Sequence, residues 1–168
     1  GCNVYTTVAS KKKEIACKTL GADLVINYKK KDFYKEIMKY TNKSGVDIIL
    51  DMVGKEYFKK NISLLKDKGK LLIIAFLTGN VAEIDLQKIL KNRLVVTGST
   101  LRPRTNEEKA RISNNVRKKY WKLLENKVIK PIIYKTFKLR EVKKAHKLME
   151  TSKHIGKIVL YNEIKEEI

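Results

Sequence analysis

Apolar residues in this chain fall into short β-branched runs separated by stretches with helical spacing. The densest run is Val46, Ile48, Ile49 and Leu50, bounded by Gly45 and Gly54. Its scant polar alternation predicts a strand buried on both faces of a parallel sheet. Asn3–Ala9, Leu24–Ile26, Lys70–Phe76 and Leu94–Gly98 read as further strands. Between them, Ser10 can cap a helix over Lys11–Leu20 that stops at Gly21. Asp32 starts a helix to about Tyr40, with Phe33, Ile37 and Tyr40 spaced to face a core. Lys55–Leu65 and Asp85–Lys91 complete the helices of this region, with turns at Asn42–Gly45 and Lys66–Gly69 and a loop at Leu77–Val81. Alternating strands and helices call for an α/β fold, a Rossmann-like, doubly wound parallel sheet.

Further on the pattern changes. Thr105 caps a long helix, Glu107 to about Asn126, carrying Trp121, Leu123 and Leu124. Ile129–Phe137 is extended, and Pro131 favours an edge position there. Leu139–Thr151 is helical, Ile155–Tyr161 is a closing strand, and the charged tail Asn162–Ile168 is expected to fray. The expected division is a partial dinucleotide-binding domain over residues 1–126 and a C-terminal segment over 127–168.

Composition narrows the function classes. The 168 residues are 43% apolar and 33% charged, which is globular rather than disordered. No apolar run approaches the roughly 18 residues that a membrane span needs, so no membrane partner is expected. The chain opens Gly1-Cys2-Asn3, with neither an initiator Met nor a secretory segment, and a cytoplasmic location is expected. Cys2 and Cys17 are too few for a disulfide framework or a zinc cluster. His146 and His154 lack a second ligand at metal spacing, and no metal is assigned. The net charge of +20 admits a basic nucleic-acid-binding module. Against it, the charge is mostly Lys and spread from end to end, whereas a nucleic-acid surface concentrates charge and uses Arg. No nucleic-acid partner is expected.

A dinucleotide fold carries a Gly-rich turn after its first strand and an acid about 20 residues later. The eight glycines here are scattered singly, with no G-x-G-x-x-G spacing. The first strand, which is central in the order 3-2-1-4-5-6, is therefore apparently lacking together with its turn. Asn3–Ala9 and Val46–Met52 should then either pair directly or expose two strand edges. At the end of Asn3–Ala9 there is no acid but Ser10-Lys11-Lys12-Lys13, a hydroxyl and ammonium groups that suit a 2′-phosphate. A plain N-cap followed by a solvated first turn fits these residues equally well. Gly54, Phe76, Leu77 and Thr78 stand where strands end, at the edge that binds ligands in open α/β sheets. For Gly54 a strand break, and for Phe76 a core position, are the competing readings. Arg102 and Arg104 flank Pro103 and suit an anionic cofactor, a twin subunit or a surface loop.

Asp51-Met52-Val53-Gly54 after its strand, with Leu20-Gly21-Ala22-Asp23 and Ile26-Asn27-Tyr28 upstream, resembles the quinone oxidoreductase (zeta-crystallin-like, zinc-less) branch of the medium-chain dehydrogenases/reductases. Thr97–Arg104 and His154–Val159 extend the likeness over nearly the whole chain, but only to the C-terminal half of a family member. The resemblance implies NADPH as cofactor. Ser10 and Lys13 match the residues that hold its 2′-phosphate, and Tyr28 the tyrosine near it. It also implies that Ala75–Gly79 borders the nicotinamide and that Ser99–Arg102 borders the cofactor from the next strand. Catalytic side chains stay unassigned, since the chemistry would be hydride transfer from NADPH to a quinone or conjugated carbonyl. The C-terminal segment would return to an absent catalytic domain, and the full-length protein would be a homodimer. The alternative is a truncated, non-catalytic remnant or a dimerising accessory chain. On its own the chain is expected not to bind NADPH.

Overall fold

A computed structural model describes residues 1–162; of the tail expected to fray, 163–168 lie outside the described residues. Contacts divide the chain into two units, Gly1–Thr105 and Asn106–Ile168. The expected boundary, after residue 126, stands one helix later.

The first unit runs β1 (Tyr5–Val8), α1 (Lys11–Thr19), β2 (Leu24–Asn27), α2 (Phe33–Tyr40), β3 (Val46–Asp51), α3 (Lys55–Leu64), β4 (Leu65–Ile73), α4 (Leu86–Lys91) and β5 (Val95–Gly98). Local chemistry explains the helix starts. Ser10 Oγ accepts the Lys13 amide at 3.3 Å, Asp32 Oδ1 accepts those of Tyr34 and Lys35 at 2.9 and 3.2 Å, and Asp85 Oδ1 accepts that of Gln87 at 3.0 Å. The expected turn at Lys66–Gly69 lies inside β4 as a register shift. Val46 pairs with Leu65, whereas Ile48 pairs with Lys70. Lys68, with φ 58, sits in this bulge.

All strand pairs are parallel, as the alternation predicted. They do not close into one sheet. β1 pairs with β2, β3–β4–β5 form a second ribbon, and β1 and β3 do not pair. Of the two expected outcomes for these strands, open edges rather than direct pairing is the one observed. One helical layer nevertheless spans both ribbons. Ile26 of β2, Phe33 and Ile37 of α2 and Leu64 of α3 form a buried cluster, flanked by Tyr5 of β1 and by Val46 and Ile49 of β3. Beside it Ile62, Leu65, Leu71 and Leu94 form a second cluster. Full burial of side chains such as Ile26 or Leu71 stabilises by about 1.5–3 kcal/mol each.

The central strand corrects one expectation. β3 is buried on one face only: Val46 and Ile49 pack inward, while Ile48 and Leu50 are 67% and 62% exposed. From Ile48 onward the reason is period-2 alternation, which turns Ile49 and Asp51 inward and Ile48 and Leu50 outward, while Val46 lies before the register shift and packs inward on its own account. Tyr40, expected to face the core, is half-exposed at the end of α2 and meets Tyr5 edge-on at 5.3 Å.

The second unit contains α5 (Asn106–Glu125), β6 (Ile133–Lys138), α6 (Val142–Glu150) and β7 (Lys157–Tyr161), with β6 and β7 paired in parallel. Pro131 precedes β6 rather than interrupting it. Phe137 and Ala145 are buried here, whereas the twenty-residue α5 has no buried residue. No helix among the described residues is long and apolar enough to cross a membrane.

Candidate functional site

Ladder register decides which of the expected site residues meet. Val8 pairs with Asn27, and the Tyr28 amide donates to the Val8 carbonyl at 3.0 Å. Ser10, Lys13 and Tyr28 therefore share the carboxyl edge of the β1–β2 ribbon. Asp51, Ile73 and Gly98 are aligned across the other ribbon. This puts Gly54, the loop holding Phe76, Leu77 and Thr78, and Arg102 beyond the carboxyl ends of consecutive strands. Tyr28 links the two groups, because its ring meets that of Tyr57, on α3 just after Gly54, edge-on at 6.4 Å. Tyr57 in turn stacks on Phe33 at 4.5 Å. Burial pushes the Tyr57 phenol up from its ordinary value, helped by the neighbouring Tyr28 and Glu56, so it stays neutral.

The loop after β4 is zipped onto the turn after β3. The amides of Ile74, Leu77 and Thr78 donate to the carbonyls of Asp51, Met52 and Val53 at 2.8, 3.1 and 2.9 Å. Thr78 Oγ1 donates to the Val53 carbonyl at 2.8 Å and accepts the Glu56 amide at 3.2 Å. The Lys55 amide donates to the Gly79 carbonyl at 3.0 Å. Two of the orphan amides at the start of α3 are thus satisfied by the loop. Gly54 has φ 82, and a Cβ there would stand 2.6 Å from the Gly79 carbonyl oxygen and 3.2 Å from Phe76 Cα. The close approach that this glycine permits is made by the protein's own backbone.

Asp51 completes the clasp. It is 3% exposed, and its carboxylate accepts the amides of Val53 at 2.8 Å and Gly54 at 3.2 Å. In the sequence it stood out only as part of a motif; an Asp at the end of a strand, three residues before a glycine, is the Asx-turn signal that marks it. Phe76 and Leu77 stand out into solvent from this frame. Beside them is a cavity of about 160 Å³, lined by Gly54 and Phe76 together with Lys55, Phe58, Asn80 and Ile84, which the sequence did not suggest. A larger concavity on α6, among Arg140 and Lys144, includes none of the expected residues.

At the other ribbon the polar groups are less occupied. Glu14, in the first turn of α1, is ion-paired to Lys11 at 3.2 Å and Lys18 at 3.5 Å, and the Lys11 hydrogen bond holds its carboxyl below the usual range. Lys13 makes no ion pair among the described residues. Its half-buried ammonium stem stands beside a capped helix N-terminus, an arrangement that attracts anions. Arg104 donates from Nε to the Thr100 carbonyl at 3.0 Å, folding the loop that carries Arg102 back on itself.

The family model of the zinc-binding dehydrogenases matches residues 20–160. This chain belongs to that family. It is 28% identical over 162 residues to a 2-haloacrylate reductase of a Burkholderia species, covering 95% of this chain and 48% of that protein. It is 26% identical over 141 residues to the human quinone oxidoreductase, covering 83% and 41%. The solved structure of Escherichia coli quinone oxidoreductase complexed with NADPH superposes with a TM-score of 0.77 at 24% identity, over 94% of this chain and 49% of that one, a likeness of fold. The chain thus spans about half the length of the curated relatives it matches. It corresponds to the C-terminal, Rossmann-like half of a medium-chain dehydrogenase/reductase, as the resemblance implied.

The family's name carries zinc, yet no group of three or more His, Cys, Asp or Glu among the described residues is placed to hold a metal ion. Cys2 and Cys17 are free thiols. The donor set does not fit a zinc site, and no role is assigned to the metal.

Proposed function

We propose that this chain is the nucleotide-binding half of an NADPH-dependent oxidoreductase acting on a quinone or a similar conjugated carbonyl, and that it holds the 2′-phosphate of the cofactor at the β1–α1 junction. The observation that carries the reading is the chemistry of that junction. A strand ends without an acid for a ribose hydroxyl, a capped helix N-terminus follows, and the Lys13 ammonium has no carboxylate partner among the described residues. This donor set fits a phosphate dianion, and the exposed Tyr28 hydroxyl on the same edge supports it. The solved relative whose structure holds NADPH is in keeping with that cofactor.

When bound, NADPH supplies the hydride. This chain's residues bind and orient. Ser10 and Lys13 would fix the adenosine end, while the Asp51–Thr78 clasp would hold Phe76 and Leu77 rigidly against the nicotinamide end. Arg102 would approach the cofactor from the loop after β5. No Gly-rich cradle for the pyrophosphate is present among the described residues, so this reading revises the expectation of no binding only in part: the half-site alone would grip the adenosine end and nothing more.

Adenosine 2′,5′-bisphosphate is the probe that isolates this subsite, with the 3′,5′ isomer as a control of equal charge. NMR titration at about 150 mM salt screens non-specific attraction to a basic protein. Preferential binding of the 2′,5′ isomer is expected, with shifts at Ser10–Lys13 and Tyr28. Lys13→Ala should weaken it about tenfold, the loss of one charge-assisted hydrogen bond. Equal binding of the two isomers, or shifts spread over the lysines at large, would refute the assignment.

A further inference from the structure

The cavity of about 160 Å³ beside the clasp combines an apolar wall with unspent polar groups. Phe58 of α3, Ile73 of β4 and, from the loop that follows, Phe76, Ala82 and Ile84 make the wall. Lys55 and Asn80 line the same cavity, and neither side chain makes a hydrogen bond or an ion pair among the described residues. Gly79 brings the loop against the Lys55 stem: a Cβ there would stand 3.4 Å from Lys55 Cδ and 3.5 Å from Lys55 Cβ. We infer that this cavity binds a small aromatic carboxylate, with its single ring against Phe58 and Phe76 and its carboxylate on the Lys55 ammonium and the Asn80 carboxamide.

Size, polarity and charge select this class. An apolar cavity of about 150 Å³ takes one benzene ring, so the volume of about 160 Å³ here suits one ring and is too small for a nucleoside. The apolar wall favours that ring over a sugar. The head group is set by what is left to meet it. The Lys55 and Glu56 amides donate to the Gly79 carbonyl and to Thr78 Oγ1, and those of Tyr57 and Phe58 to the Gly54 carbonyl. A phosphate, which draws on such amides at a helix N-terminus, is therefore disfavoured. One ammonium and one carboxamide suit a single carboxylate. Glu83 does not line the cavity and pairs with no cation among the described residues, so the Lys55 charge is left to a ligand. Phe76 and Ile84 are exposed, which opens the wall to solvent. The cavity shares Gly54 and Phe76 with the edge expected to border the cofactor, but Ser10, Lys13 and Tyr28 lie outside it. The inference stands whether or not those three residues bind NADPH.

The test titrates benzoate, benzamide and acetate separately into the full chain at about 150 mM salt, which screens general attraction to lysines, and follows amide shifts by NMR. Benzoate is expected to bind one to one with a Kd of about 0.1–1 mM, with shifts confined to residues 54–58 and 76–84. Benzamide, which keeps the ring without the charge, and acetate, which keeps the charge without the ring, should each bind about fivefold more weakly or worse. Lys55→Gln, an exposed substitution that leaves the backbone amide in place, should weaken benzoate about fivefold and leave benzamide unchanged. Saturating adenosine 2′,5′-bisphosphate should not displace benzoate. No saturable shift up to about 10 mM benzoate would overturn the inference. So would acetate or benzamide matching benzoate, shifts spread over the lysines at large, an unchanged affinity in Lys55→Gln, or displacement by the bisphosphate.

Discussion

The two strand-end regions that make up the candidate site are built on opposite plans. At the turn after β3, the groups able to meet a ligand are spent on the protein itself: Thr78 Oγ1 bridges Val53 and Glu56, Gly54 admits the Gly79 carbonyl, and Asp51 gathers two amides. At the end of β1, Ser10 caps α1 and Glu14 is neutralised by Lys11 and Lys18, leaving the Lys13 ammonium without an ion pair among the described residues. One region is a frame, and the other is the receptor we propose. The same residue types, a hydroxyl, a glycine and a charge, serve rigidity where backbone groups converge and recognition where a cation is left over.

Gly54→Ala should break the frame most severely. A left-handed backbone and a Cβ facing the Gly79 carbonyl oxygen together predict a loss of about 3 kcal/mol in urea unfolding. Thr78→Val removes both Oγ1 hydrogen bonds at nearly constant shape, and a loss of about 1–2 kcal/mol is expected. Thr78→Ser should restore most of it, with faster amide exchange at Glu56 in the Val variant only.

Between frame and receptor stands Asp32, which caps α2 and pairs with Lys60 at 2.8 Å. The Lys60 hydrogen bond, with the Lys35 and Tyr34 amides, holds its carboxyl below the ordinary 3.8. A depressed folded value means stability present above the unfolded value and lost as the pH falls through the folded one. Asp32→Ala should cost about 1 kcal/mol at neutral pH. Asp32→Asn keeps a cap but not the charge, so its urea midpoint should fall less than that of the wild type between about pH 6 and about pH 3. The smallest stability effect belongs to the proposed receptor: Lys13→Ala should stay within about 0.5 kcal/mol while weakening the 2′-phosphate probe about tenfold.

Much of this was legible in the sequence because local chemistry wrote it. The strands, the cap at Ser10, the helix starts near Asp32 and Asp85 and the parallel pairing follow from β-branched runs and short polar side chains. The one-sided burial of β3 was not legible, since Ile48 and Leu50 read the same whether or not a helix covers them. Nor was the internal use of Thr78: a threonine after a strand carries no mark of whether its hydroxyl will meet a ligand or the helix beside it. The family likeness assigned edge residues to one site, whereas the geometry shows two kinds of neighbourhood on that edge.

The most direct test of the central claim is calorimetric titration of this chain with NADPH, with NADH and adenosine 2′,5′-bisphosphate beside it. A receptor at β1–α1 without a pyrophosphate cradle predicts that NADPH binds no tighter than the bisphosphate, and NADH not measurably. NADPH binding far tighter than the bisphosphate, or NADH binding equal to NADPH, would contradict it.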